Sequence, residues 1–192
     1  MAWDTEATKA KLLDAAITEF SERGFSGARI QQISKNSGCN RERIYFYFVN
    51  KAQLFESALT RQLSTALDDL PVIGTGPEAI GDFAGRYFDF STSHPGLSRL
   101  TFWEGLEWGY PIGAEERTLR ASEKVAEIQL ALPTMSRCEA EELLLTIVTL
   151  CHAWVSTPNV QLVVAGAPDD ARRRASIVRT SELLAQCAVA DV

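Results

Sequence analysis

Residues 38–51 read GCNRERIYFYFVNK, and the conformation of this stretch decides the fold. The alternation Tyr45, Phe46, Tyr47, Phe48 suits a strand, in which every second side chain shares a face. A strand would gather both tyrosines with Arg41 and Arg43, and both phenylalanines with Ile44. A helix sorts the same residues differently. Ile44 and Phe48, four apart, share one side, Arg41 and Tyr45 a second, and Arg43 and Tyr47 a third. The flanks favour the helix. Ser37-Gly38-Cys39 reads as a turn and Asn40 is a good N-cap. A strand here would stand isolated among helical periods with nothing to pair with.

Working outward, residues 5–22 place Leu12, Leu13, Ala16, Ile17 and Phe20 near a 3.6-residue period, and Gly24 can end that helix in the left-handed conformation. Residues 28–36 form a short second helix with Ile30 and Ile33 inward. Asn50 caps a fourth, from Lys51 to about Leu70, that buries Leu54, Phe55, Ala58 and Leu59. The Pro71–Pro77 segment, PVIGTGP, is the clearest break in the chain. Helical patterns follow at about 78–93, 96–107, 114–131, 137–157 and 169–189, with residues 158–168 read as breakers. No strand alternation and no internal repeat stands out, so the expected fold is all-α with about nine helices.

The chain has 192 residues, of which 46% are hydrophobic and 23% charged, the make-up of a globular protein. No apolar run approaches the roughly 20 residues a membrane helix needs, and no membrane partner is expected. Cys39, Cys138, Cys151 and Cys187 lack metal-like spacing and read as reduced packing residues of a cytoplasmic protein. No P-loop, nucleophile elbow or metal motif surrounds His94 or His152, so nothing invites an enzyme, a metal or a cofactor. The net charge of −6 argues against a general nucleic-acid coat, but it is unevenly spread. Residues 23–51 carry 6 Lys+Arg against 1 Asp+Glu, whereas residues 61–192 carry 11 against 18. A small basic module is joined to a larger acidic one.

Two short helices joined by a glycine turn inside a basic segment suggest a helix-turn-helix, whose second helix enters the DNA major groove. The run from Gly24 to Leu54, GFSGARIQQISKNSGCNRERIYFYFVNKAQL, resembles the N-terminal signature of the tetracycline-repressor (TetR) family at Gly24-Phe25, Ile33, Gly38, Ile44-Tyr45, Phe48, Lys51 and Leu54. Leu12, Ala15, Ala16 and Phe20 fit the preceding helix. The resemblance covers roughly the first third of the chain. It implies a three-helix DNA-binding domain at 1–50 and a helical ligand-binding and dimerisation domain at 51–192, with 51–70 as connecting helix. It also implies repression of a palindromic operator in double-stranded DNA, relieved by a small molecule.

By the same resemblance, Arg41 and Arg43 face the groove, where arginine can donate two hydrogen bonds to guanine. Tyr45 and Tyr47 contact backbone or base edges, and Lys51 contacts a phosphate at the start of the fourth helix. Arg29 stands where the family often has a phosphate-binding threonine, with Gln31 beside it. Phe46 is equally suited to a thymine methyl or to packing.

In the acidic part, residues 137–157 are apolar nearly all round, which calls for burial on several sides. The resemblance implies a homodimer bundle from the last two helices, with Leu143, Ile147, Leu150, Trp154, Ile177 and Leu184 at the interface. Aromatics interspersed with polar groups in the middle third suit a site for a small hydrophobic or aromatic effector, lined by Phe83, Tyr87, Trp103, Glu104, Leu106, Trp108 and His152. The competing readings are a helical protein-interaction module, which would not need the basic segment, and a constitutive regulator without an effector.

Overall fold

The computed structural model describes residues 5–68 and 70–190, with side chains described except at 64–68 and 188–190. Among the described residues there are ten α-helices and no strand. They are α1 (Thr5–Gly27), α2 (Ile30–Ser37), α3 (Arg41–Tyr47), α4 (Lys51–Asp68), α5 (Pro77–Ser93), α6 (Pro95–Glu107), α7 (Ala114–Ala131), α8 (Arg137–Ser156), α9 (Pro158–Ala165) and α10 (Asp170–Ala190). The aromatic run 45–48 is therefore helical, as its flanks indicate. The helix absent from the sequence reading is α9. Pro158 sits in its first turn, where a proline costs no hydrogen bond, so a residue read as a breaker starts a helix. No single helix among the described residues is long and apolar enough to cross a membrane.

The chain divides into two compact units. The first takes Met1–Ser64 and Arg99–Ala114, the second Thr65–Ser98 and Glu115–Val192. This division differs from a boundary at residue 50, and the reason is packing. Leu54, Phe55, Ala58 and Leu59 of α4 are buried in one cluster with Phe20, Ile33 and Ile44, so the front of the connecting helix is floor to the three-helix module. Phe20 and Phe55 meet edge to face at 5.1 Å. Leu100 and Ile112 join the same cluster from the returning segment.

Within this first unit α1 bends at Gly24, whose φ of 69° and ψ of −179° lie in the region that favours glycine. A Cβ there would also fall 2.7 Å from Cε3 of Trp103. Trp103 donates its indole N–H to the Ser21 carbonyl, 3.3 Å away, one turn before the bend.

In the second unit, α5 packs along α10 and against α8. Gly85 allows this closeness, because a Cβ there would meet Val178 at 3.1 Å. The core holds Ile80, Phe83, Ala84, Tyr87, Phe88, Ile128, Leu143, Ile147, Cys151 and Ile177. The Pro71–Pro77 segment is pinned to this unit. Val72 donates to Glu127 at 2.8 Å, buried Lys124 donates to the Leu70 carbonyl at 2.9 Å, and Gly76 donates to the Ala131 carbonyl at 2.8 Å.

Ile44 is the one α3 residue wholly enclosed by the first core. Ile44→Ala is expected to cost about 2–5 kcal/mol of stability in urea unfolding, the range for a large aliphatic removed from a packed core.

Candidate nucleic-acid interface

The α2–turn–α3 unit is closed by local chemistry. Gly38 adopts φ 69°, ψ 12°, the left-handed cap that ends α2. Ser34 donates from Oγ to the Cys39 carbonyl at 2.5 Å, tying the helix to the turn. Asn40 caps α3 by accepting from the Arg43 N–H at 2.9 Å. Asn50 does the same for α4, accepting from Gln53 N–H at 2.8 Å, and Gln53 reaches back to the Val49 N–H at 2.6 Å. Ile44 and Phe48 are buried, which fixes the rotation of α3.

That rotation decides what faces outward. Arg41, Glu42, Tyr45 and Phe46 are exposed, and Arg43 and Tyr47 are half-buried. The Arg41 guanidinium lies over the Tyr45 ring, 5.6 Å from its centroid, the one-turn spacing a helix gives them. Phe46 is 82% exposed, so packing is not its role. Tyr47 instead leans on the core, with its ring 5.3 Å from Phe46 and 6.5 Å from Phe48. Arg29 directs its backbone N–H to buried Glu19, 3.0 Å away, and leaves its side chain exposed, as is Gln31 on the next turn. A short helix thus presents two arginines and two aromatic rings on a surface with an excess of positive charge.

Lys51 is held rather than loose. Its ammonium sits 4.8 Å over the Phe25 ring and 3.5 Å from the Ser26 carbonyl. Burial lowers its pKa from the usual lysine value, and the carboxylates of Glu107 and Glu19 act in the opposite direction. Glu107 in turn accepts from the backbone N–H groups of Phe25 and Ser26, at 2.5 and 3.1 Å. Nothing local in the sequence announced this residue, which lies 82 positions from Phe25.

The seven residues expected to line an effector site divide between the two units. Trp103, Glu104 and Trp108 serve the first unit. Trp103 covers Gly24, Glu104 accepts from the Ile112 N–H at 2.6 Å, and Trp108 packs on Phe25 and Phe55 with centroids 4.9 and 5.9 Å away. Leu106 is 75% exposed. The other three, Phe83, Tyr87 and His152, do come together in the second unit. The Tyr87 hydroxyl lies 3.0 Å from His152 Nε2, and Phe83 is 6.0 Å from the Tyr87 ring. Burial holds the His152 pKa down at about 4, so the ring is neutral and can accept from the tyrosine. Burial also pushes the Tyr87 hydroxyl up and the neighbouring Cys151 thiol up to about 12.

The expected dimer residues differ in their burial. Leu143, Ile147 and Ile177 are buried inside the protomer, and so cannot form a free face. Leu150 and Trp154 are half-buried, with Trp154 donating to Asp170 at 2.7 Å. Leu184 is exposed, and with it Leu145 and Leu183, which a pattern apolar all round could not separate from the core positions.

Residues 12–58 match the family described as "Bacterial regulatory proteins, tetR family", and residues 79–182 match the "Tetracyclin repressor-like, C-terminal domain". The chain is 34% identical over 173 residues to the HTH-type transcriptional repressor SCO4008 of Streptomyces coelicolor, covering 88% of each chain. It is 28% identical over 158 residues to the HTH-type transcriptional repressor NicS of Pseudomonas putida, covering 80% of this chain and 74% of that one. A tetR-family transcriptional regulator of known structure from Streptomyces coelicolor has the same fold, with a TM-score of 0.74 at 20% identity over 97% of this chain and 84% of that one.

Two outcomes follow from the burial pattern. Phe46→Ala should leave stability within about 0.5 kcal/mol of the parent in urea unfolding, because the ring is not part of the core. His152 titrates near 6.5 when unfolded and near 4 when folded, so the unfolded chain takes up the proton first. Stability from this group is complete above the unfolded value and is lost as pH falls towards the folded one, by roughly 3 kcal/mol. Urea unfolding across that window should show a steeper loss of stability in the parent than in His152→Gln.

Proposed function

The chain belongs to the tetR family of bacterial regulatory proteins and is a DNA-binding transcriptional regulator, and from that premise we propose a repressor that a small hydrophobic effector releases from a palindromic operator. The observation that carries the DNA part is α3. Its Ile44 is buried while Arg41, Tyr45 and Phe46 are exposed and Arg43 is half-exposed, so the helix has one side committed to its own core and the rest available to a groove. Arg41 and Arg43 read base edges, Tyr45 and Phe46 meet backbone, sugar or thymine methyl groups, and Arg29, Gln31, Tyr47 and Lys51 flank them on the backbone side.

One such helix reads only a few base pairs, so a homodimer on two half-sites is the economical way to specificity. Leu145 of α8 and Leu183 and Leu184 of α10 support this reading, being 56%, 53% and 43% exposed on the two helices. For the effector we favour the second unit around Phe83, Tyr87 and His152, an apolar setting with one polar pair to orient a ligand. Release follows by population shift: a ligand that prefers the DNA-incompetent arrangement lowers operator affinity in proportion to its differential binding.

Selection from a random duplex pool, followed by a ligand screen on the winning site, tests the whole proposal. Binding without sequence preference would overturn the regulator reading, and operator affinity that no ligand alters would favour a constitutive regulator. On the selected site Arg43→Ala should cost about 1–3 kcal/mol and relax preference at one position. Lys51→Ala should weaken all sequences alike and reduce the dependence of binding on salt by about one phosphate contact.

A further inference from the structure

We propose that Glu107 is a positioning residue for DNA binding, which sets Lys51 by fixing the backbone of Phe25 and Ser26. This rests on the reading that Lys51 meets a DNA phosphate.

The geometry forms a short relay within the first unit. Gly24 breaks α1 at φ 69°, and the chain then makes one more turn to Gly27. The bend at Gly24 opens a new turn, whose first N–H groups have no acceptor within that turn itself. Glu107 supplies the missing acceptor from the far end of α6, with Oε2 at 2.5 Å from Phe25 N and Oε1 at 3.1 Å from Ser26 N. It is a cap delivered from 82 residues away, placed where a carboxylate is favoured. The two residues it holds are the two that hold Lys51. The Phe25 ring lies under the ammonium, and the Ser26 carbonyl accepts from it. Trp103, one helical turn before Glu107, covers Gly24 and bonds Ser21, so α6 grips both sides of the bend. Glu107 is also acidic beside a basic surface, where free carboxylates work against phosphate binding. Its engagement with two N–H groups gives it a task other than repelling DNA.

The test uses the full chain and its selected operator duplex, with affinity read by fluorescence anisotropy and folding checked by thermal melting. Glu107→Gln keeps an oxygen in reach of both N–H groups. Glu107→Asp keeps the charge but withdraws it by one carbon, and Glu107→Ala removes both. The expected order is operator affinity within about twofold of the parent for the glutamine variant and a loss of about tenfold for the aspartate and alanine variants. In a Lys51→Met background the loss from Glu107→Asp should shrink to less than about threefold, since the group being positioned is gone. A general structural role would lower the melting temperature yet leave that loss undiminished by Lys51→Met, and such additivity overturns the proposal. Equal affinity for the aspartate and glutamine variants overturns it too, and this contrast decides the matter alone if the alanine variant fails to fold. Failure of the parent to select any operator would instead count against the regulator reading itself.

Discussion

A helix of seven residues cannot hold itself together in water, because the cost of nucleation is not recovered over two turns. The reading helix α3 exists because Ile44 and the Phe48 that follows it are taken into a core built by α1, α2 and α4. That burial does two things at once. It supplies the stability that propensity cannot, and it fixes the rotation of the helix. Once Ile44 points inward, 3.6-residue geometry turns Tyr45 and Phe46 away from the core. The caps at Gly38, Asn40 and Asn50 then set where each helix stops and starts. The exposed surface of α3 is thus the remainder left by a packing problem.

Charge works on the same surface at short range. The whole chain is acidic, at −6, yet residues 23–51 carry a local excess of positive charge. Over a Debye length of about 8–10 Å the nearby charges outweigh the distant ones, so net charge is a poor guide to what this face attracts. Two acids of the same unit, Glu19 and Glu107, accept from backbone N–H groups. Neither is a free competitor for phosphate. These two acids hold the backbone at Phe25, Ser26 and Arg29.

The second unit follows a different principle. Its core admits a histidine and a tyrosine because each answers the other's polar group, and burial keeps both neutral. Helices α8 and α10 place Leu143, Ile147 and Ile177 into that core and leave Leu145, Leu183 and Leu184 out of it. The buried set belongs to the core of the protomer, and the exposed set is left on its surface.

Sequence by itself determined the all-α class, the helix-turn-helix and the burial of Ile44 and Phe48, because these depend on periodicity and caps within a few residues. It also gave nine of the ten helices, and named the polar pair's members, Tyr87 and His152, among candidates. It missed α9, where Pro158 opens a helix instead of ending one. Only the tertiary structure decided that Phe46 is exposed while Tyr47 leans on the core. It alone assigned Trp103, Glu104 and Trp108 to the first unit and Phe83, Tyr87 and His152 to the second. It alone brought Glu107 to Phe25 and Ser26. The physical reason is range. A helical period records which side of a helix is apolar, but not which of two cores that side joins, and a carboxylate that caps a turn 82 residues away leaves no mark in the residues around it.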